Sequence, residues 1–224
     1  MVKAKNISGL YALTPDLADT EKLCHLVEAS LLGGASAIQY RNKSAGHELR
    51  IKQACALLKL CRQHNVPLII NDDIELCLAI NADGVHLGEE DIGKHGNLAE
   101  ARMRLGGDKI LGASCYNRFE LAQVAKVNGA DYVAFGACFA SGTKPNAVKT
   151  SLELISQAQR ELNMPIVAIG GITLDNAELV ICAGADCVAV IDALFSSNNV
   201  QSSAQQFSQL FTQINHGLSQ STAV

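Results

Sequence analysis

The chain contains no tryptophan, and aromatic residues make up only 4% of its 224 positions. Its formal net charge is −4, and no stripe of Lys and Arg runs along it. Nucleic-acid binding calls for a cationic footprint and often for stacking rings, so no nucleic-acid partner is expected. There is no run of about 18 apolar residues, which leaves no candidate membrane-spanning helix and no membrane partner. The opening stretch "MVKAKNISGLYALTPD" interrupts its apolar residues before a signal-peptide core is formed, so a cytoplasmic protein is expected. Eight Cys are present, at 24, 55, 61, 77, 115, 138, 182 and 187, and no pair has C-x2-C spacing. Zinc is therefore a poor fit. Most of these cysteines lie in apolar segments, where a reduced thiol packs as a small hydrophobe.

What is present is a high apolar content, 48%, with 18% charged residues. That suffices for one large core, and a single domain over 1–216 is expected. The remaining "GLSQSTAV", 217–224, is small and polar and reads as a frayed tail. Short apolar runs alternate with longer amphipathic stretches. The strand candidates are 7–14, 36–41, 67–72, 84–88, 110–115, 132–138, 165–171 and 187–192. Between them lie helical patterns. In 47–64, Ile51, Ala54, Cys55 and Leu58 fall at i, i+3, i+4, i+7 spacing; in 202–216, Ala204, Phe207, Phe211 and Ile214 share a face. The steps "GGASA", "NADGV", "NGADY" and "AGADC" read as helix C-terminal turns feeding the next strand. Apolar strands each followed by a helix imply a parallel sheet. Eight such units in this length predict an α/β fold, the closed (β/α)8 TIM barrel. An open doubly wound sheet is the runner-up, but no G-x-G-x-x-G follows the first strand.

In a barrel, polar residues at strand C-termini face the active site. Here they gather after the strands: Gln39, Arg41 and Lys43 after the second, Asn71 and Asp72 after the third. His86 with Glu89, Glu90 and Asp91 follows the fourth, and Ser114 ends the fifth. Ser141, Thr143 and Lys144 follow the sixth, Gly170 and Gly171 end the seventh, and Ile191 and Asp192 end the eighth. Singly, each has a plain structural reading. Arg41 and Lys43 read as solvated loop charges, Asp72 or Asp73 as a helix cap, and Ser141 to Thr143 as a turn. Jointly those readings weaken, because every member lies after a strand. Two carboxylates on adjacent strand ends, Asp72 and Asp91, are hard oxygen ligands suited to Mg2+ that keeps waters and phosphate oxygens. Arg41, Lys43 and Lys144 supply cations for phosphate. The Gly-Gly step and the short helix after the last strand suit a second phosphate. No Ser-His-Asp or Cys-His arrangement is evident, which favours charge-stabilised departure of diphosphate over acyl transfer.

The ordered set "QYRNK", "NDD", "GVHLGEED", "GAS", "SGTK", "IGGI" and "GADCVAVI" resembles the thiamine-phosphate synthase family over about residues 7 to 195. The resemblance implies a transferase that couples 4-amino-2-methyl-5-hydroxymethylpyrimidine diphosphate to 4-methyl-5-(2-hydroxyethyl)thiazole phosphate. It implies departure of diphosphate through a largely dissociative, pyrimidine-stabilised cation. It assigns Gln39, Arg41, Lys43, Asn71, Ser114 and Lys144 to the pyrimidine diphosphate, with Arg41, Lys43 and Lys144 catalytic. It assigns Asp72 and Asp91 to Mg2+, and Ser141, Thr143, Gly171, Ile191 and Asp192 to the surroundings of the thiazole phosphate. Partners are then small-molecule substrates, and a homo-oligomer is compatible with the resemblance. Two positions depart from the pattern: Glu89 stands where Gln is usual, and Asp192 where Ser is usual. A thiazole tautomerase-like relative and a non-catalytic binder of thiamine precursors are the alternatives on the same fold. Neither needs a metal diphosphate site.

Overall fold

The computed structural model describes residues 7–89, 97–140 and 149–221, with side chains as far as 214. Eight parallel strands close into a barrel in chain order. They are β1 (Gly9–Leu13), β2 (Ala37–Tyr40), β3 (Leu68–Asn71), β4 (Gly84–Leu87), β5 (Ile110–Tyr116), β6 (Tyr132–Phe135), β7 (Ile166–Ile169) and β8 (Cys187–Val190). Each lies inside or within a residue of a predicted run. The described helices are α1 (Thr20–Leu32), α2 (His47–Gln63), α3 (Ile74–Ala79), α4 (Leu98–Leu105), α5 (Phe119–Val127), α6 (Leu152–Leu162), α7 (Ala177–Cys182), α8 (Asp192–Phe195) and α9 (Val200–Ser221).

Strand period two divides the apolar residues between two cores. One set points into the barrel: Tyr11, Leu13, Ala37, Ile69, Ile110, Tyr132, Ala134, Val167, Cys187 and Ala189. Their neighbours, among them Leu10, Ile38, Ile70, Val85, Val133 and Val188, point outward and pack beneath the helices. Both faces are dry, which is why the strands read as unbroken apolar runs rather than alternating ones. Inside the barrel Tyr132 lies against Gly112, where an added Cβ would fall 2.0 Å from the ring Cζ. Only glycine admits the phenol there.

The helix patterns hold in part. Along α9, Ala204 and Phe207 are buried while Phe211 and Ile214 pack at the edge of the core. In α2 the buried face is Gln53, Ala54, Leu57, Leu58 and Cys61, whereas Ile51 and Cys55 are exposed. The face is rotated because buried Gln53 is needed inside. Its Oε1 accepts from Tyr40 Oη at 2.9 Å, and its Nε2 donates to the Leu17 carbonyl at 2.9 Å. A paired amide therefore takes a place that hydropathy would give to Ile51. The backbone of α9 is helical as far as Ser221, beyond the start of the expected tail. A lone Gly217 lowers helix stability by about 1 kcal/mol and does not end a helix by itself.

The N-terminal rim of the barrel is closed by one repeated device. Asp83, Asp131 and Asp186 stand immediately before β4, β6 and β8. Their carboxylates accept the backbone N–H of Leu68, Leu111 and Ile166 at 2.9, 2.8 and 2.8 Å. Ser36, immediately before β2, instead donates its hydroxyl to the Leu10 carbonyl at 3.0 Å. These are the "GASA", "NADGV", "NGADY" and "AGADC" steps. Each polar residue ties the start of one strand to its neighbour.

Candidate active site

The opposite rim carries the polar residues, and strand parity explains which ones face inward. Gln39 lies two residues beyond inward Ala37, Asn71 two beyond Ile69, His86 two beyond Gly84, and Ser114 four beyond Ile110. They form the uppermost layer of the barrel interior, above the apolar one. Register places Asn71 beside His86 on adjacent strands. Arg41 continues the inward parity of β2 just past its end.

Arg41 is held at backbone and side chain. Its N–H donates to Thr14 Oγ1, and the Thr14 hydroxyl donates to the Arg41 carbonyl, both at 2.9 Å. Its guanidinium pairs with Asp16 at 3.3 Å, and the same carboxylate accepts the Lys43 backbone N–H at 3.2 Å. Thr14 and Asp16 were missed by sequence reasoning. The only signal for them was their place just after β1, in "LTPD". Lys43 itself is exposed. Between the two cations, Asn42 is buried, donating to the Leu17 carbonyl at 2.8 Å and accepting from Ala45 N–H at 3.1 Å. The loop that presents Arg41 and Lys43 is thus pinned from beneath.

The run Asn71, Asp72, Asp73 separates into distinct duties. Asp73 caps α3, accepting from Leu76 N–H at 2.9 Å, and pairs with Arg50 at 3.0 Å. Asp72 has φ 63, the left-handed region that non-glycine residues seldom occupy. By strand parity it would point outward with Ile70; the positive φ redirects it, and its carboxylate meets Asn71 Nδ2 at 2.5 Å. Strain of this sort, of order 1–3 kcal/mol, collects where a side chain must be aimed.

From this layer down into the barrel runs a chain of hydrogen bonds, buried except at its Ser114 end, that the sequence did not reveal. Gln39 Nε2 donates to Tyr11 Oη at 2.8 Å, and Tyr11 and Tyr132 hydroxyls meet at 2.9 Å. Tyr132 Oη meets His86 Nδ1 at 2.9 Å, and His86 Nε2 meets Ser114 Oγ at 2.9 Å. The chain spans β1, β2, β4, β5 and β6. Burial pushes both phenols well above their ordinary range, so both stay protonated. The rings are seated by contact: His86 stacks on Tyr132 with centroids 5.5 Å apart, and Tyr11 meets Tyr132 edge-on at 6.0 Å.

On the far side, Gly170 and Gly171 have φ 97 and 65. An added Cβ at Gly171 would fall 2.5 Å from the Ala140 carbonyl oxygen, so the pair seats the chain that follows β6. Cys138 and Phe139 N–H donate to the Ile169 and Gly170 carbonyls, each at 2.9 Å. Asn176 Nδ2 donates to the Gly171 carbonyl at 3.0 Å. Ile191 precedes and Asp192 opens the short helix α8. Glu89 is ion-paired with Arg118 at 2.5 Å, and Arg118 lies 5.6 Å from the centroid of the Tyr116 ring. The extra negative charge at this departure from the family pattern is therefore matched by a cation. Asp91, Ser141, Thr143 and Lys144 lie outside the described residues, as does Glu90.

The arrangement defines a class: a (β/α)8-barrel enzyme whose strand ends present amide, carboxylate and cationic groups to one mouth. Residues 10–194 match the family model described as thiamine monophosphate synthase, and the chain belongs to that family. A thiamine-phosphate synthase of Methylobacillus flagellatus is 57% identical over 205 residues, covering 92% of this chain and 96% of the relative. That of Nitrosospira multiformis is 51% identical over 207 residues, covering 92% and 87%. Among solved structures, thiamine phosphate pyrophosphorylase from Pyrococcus furiosus superposes with TM-score 0.83 at 31% identity, covering 94% of this chain and 98% of the other. A geranylgeranylglyceryl phosphate synthase from Thermoplasma acidophilum, with TM-score 0.68 and 15% identity, shares the fold alone.

Proposed function

We propose that this barrel joins 4-amino-2-methyl-5-hydroxymethylpyrimidine diphosphate to 4-methyl-5-(2-hydroxyethyl)thiazole phosphate, giving thiamine phosphate and diphosphate. The observation that carries this reading is the joint presentation, on the adjacent strand ends of β2 and β3, of Arg41 and Lys43 beside Asn71 and Asp72. Neither a tautomerase-like relative nor a passive binder needs cations and a carboxylate presented together on neighbouring strand ends.

Gln39, Asn71 and Ser114 orient the pyrimidine diphosphate, with Arg41, Lys43 and Lys144 around its phosphates. Arg can grip a phosphate with two parallel N–H donors, and Lys acts as a point charge. As the C–O bond to diphosphate lengthens, negative charge grows on the leaving oxygens and these cations stabilise it. The thiazole nitrogen then bonds to the pyrimidine methylene carbon, and the electron pair of the broken bond leaves with diphosphate. Gly171, Ile191 and Asp192, with Ser141 and Thr143, surround the thiazole phosphate. Holding both substrates in one mouth replaces a bimolecular encounter with a pre-oriented one.

The residues present fit Mg2+. Asp72 offers a hard carboxylate oxygen aimed by its backbone beside an amide, and Asp91 is assigned as the second ligand. Bound there, the cation would supply positive charge against the departing diphosphate. Among the described residues no cluster of three His, Cys, Asp or Glu competes as a metal site. Small-molecule substrates, one barrel domain over 1–216 and a cytoplasmic setting go with this reading. No helix among the described residues is long and apolar enough to cross a membrane. The test is direct. The purified protein mixed with both substrates and Mg2+ should release thiamine phosphate and diphosphate in equal amounts. Turnover of thiazole phosphate without diphosphate release would overturn the proposal.

A further inference from the structure

The chain Gln39–Tyr11–Tyr132–His86–Ser114 takes a direction from the Gln39 amide, whose Nε2 faces Tyr11. A phenol has one proton to give. Tyr11 receives an N–H from Gln39, so its own proton goes to Tyr132. Tyr132 receives that proton's bond, so its own O–H goes to His86 Nδ1. Nδ1 must then be bare, the ring proton sits on Nε2, and Nε2–H donates to Ser114 Oγ. Among the described residues nothing takes the Ser114 hydroxyl proton, which is left for a ligand. At the other end, Gln39 keeps Oε1 and its second N–H. No fully buried side-chain oxygen or nitrogen lacks a partner among the described residues. Among the described residues Gln39 Oε1 makes no hydrogen bond, so it is not fully buried and is left for a ligand.

The reverse direction is also a complete chain, and it presents a different surface. Ser114 would spend its proton on Nε2, Nδ1–H would donate to Tyr132, Tyr132 to Tyr11, and Tyr11 to a turned Gln39 amide. The mouth would then see only donors at Gln39 and only an acceptor at Ser114. One proton per hydroxyl locks the imidazole tautomer to the amide orientation across the barrel.

We propose that Tyr11, Tyr132 and His86 are positioning residues that set the hydrogen-bond polarity of two substrate-facing groups, Gln39 and Ser114, making one a mixed acceptor–donor and the other a donor. That these two groups face the pyrimidine diphosphate rests on the proposed function. The polarity itself is a property of the free protein. Tyr132 is the lever, because its hydroxyl joins the Tyr11 and His86 segments while its ring fills the space over Gly112. Tyr132→Phe keeps that ring and removes only the link.

The experiment reads the His86 tautomer by nitrogen NMR of histidine-labelled, ligand-free protein. The signal is assigned among the six His by comparison with His86→Gln. The wild type should show a single Nε2–H form, and Tyr132→Phe should show both tautomers. In the assay, Tyr132→Phe should raise the pyrimidine diphosphate KM about tenfold while kcat and the thiazole phosphate KM change less than about threefold. An Nδ1–H tautomer in the wild type, an unchanged tautomer in Tyr132→Phe, or equal shifts in both KM values would each overturn the proposal. If the wild type makes no thiamine phosphate, the proposed function fails, and the tautomer measurement still decides the relay.

Discussion

The two rims of the barrel use aspartate in opposite ways. At the N-terminal rim, Asp83, Asp131 and Asp186 are spent on the backbone of the neighbouring strand. Asp131 also pairs with Arg102 at 2.5 Å, where both side chains are 18% exposed. Arg102 in turn donates to the carbonyls of Gly129, Gly106 and Lys109. This rim satisfies itself and lowers the energy of the fold. At the C-terminal rim, Asp72 is held with φ 63 and its carboxylate beside an amide, a conformation that costs energy. The contrast separates aspartates spent on the backbone of a neighbouring strand from one whose carboxylate meets a side-chain amide, although both sets flank strands by one position.

The sharpest test of that contrast is Asp72→Ala. It should lower kcat/KM at limiting Mg2+ by about a hundredfold or more, since the charge stabilisation lost is several kcal/mol. Its unfolding midpoint in urea should stay near that of the wild type. Full activity at limiting Mg2+ would remove Asp72 from the metal site.

Asp131→Ala should do the reverse. Removing one partner of a mostly buried ion pair and exposing a strand N–H should cost about 3 kcal/mol. Urea unfolding would show the loss, while kcat/KM per folded molecule would be unaltered. A comparable fall in kcat/KM would mean that the lower rim reaches the chemistry.

Asp192 tests whether the far side of the upper rim follows Asp72. If its carboxylate is neutralised or turned away from phosphate, Asp192→Ser should change the thiazole phosphate KM by less than about tenfold, or roughly 1.4 kcal/mol. A Ser variant that binds thiazole phosphate a hundredfold more tightly would show that the native carboxylate opposes that ligand.

The smallest effect concerns Asp186. Burial raises its carboxyl above the ordinary aspartate value of 3.8, against the opposing bond from Ile166 N–H. A raised folded-state pKa means that the native state holds the proton more tightly. The associated stability is fully present below 3.8 and is lost as pH rises through the folded-state value. Asp186→Asn keeps an acceptor for Ile166 without a charge. Its stability relative to wild type should therefore improve between about pH 4 and pH 7, by less than about 1 kcal/mol. A relative loss over that range would show that the carboxylate's bond outweighs its desolvation.

Local pattern alone carried the eight strands, their order and the end at which the polar residues gather. Each strand is buried on both faces, so its apolar run is continuous and is bounded by turns that a sequence displays. The positions of Gln39, Arg41, Asn71, Asp72 and Ser114 at strand ends followed from the same pattern, and the order of motifs carried the family. Tertiary structure decided what those residues touch. The rotated face of α2 depends on Gln53 meeting Tyr40, a partner on another element. The grip on Arg41 comes from Thr14 and Asp16, 27 and 25 residues earlier. Tyr11 and Tyr132, 121 residues apart, read as ordinary apolar strand residues until closure of the barrel brings their hydroxyls together. Hydropathy periodicity reports which face of an element is dry. It carries no information about which distant polar atom crosses the interior to meet it, because that distance is set only when the last strand pairs with the first.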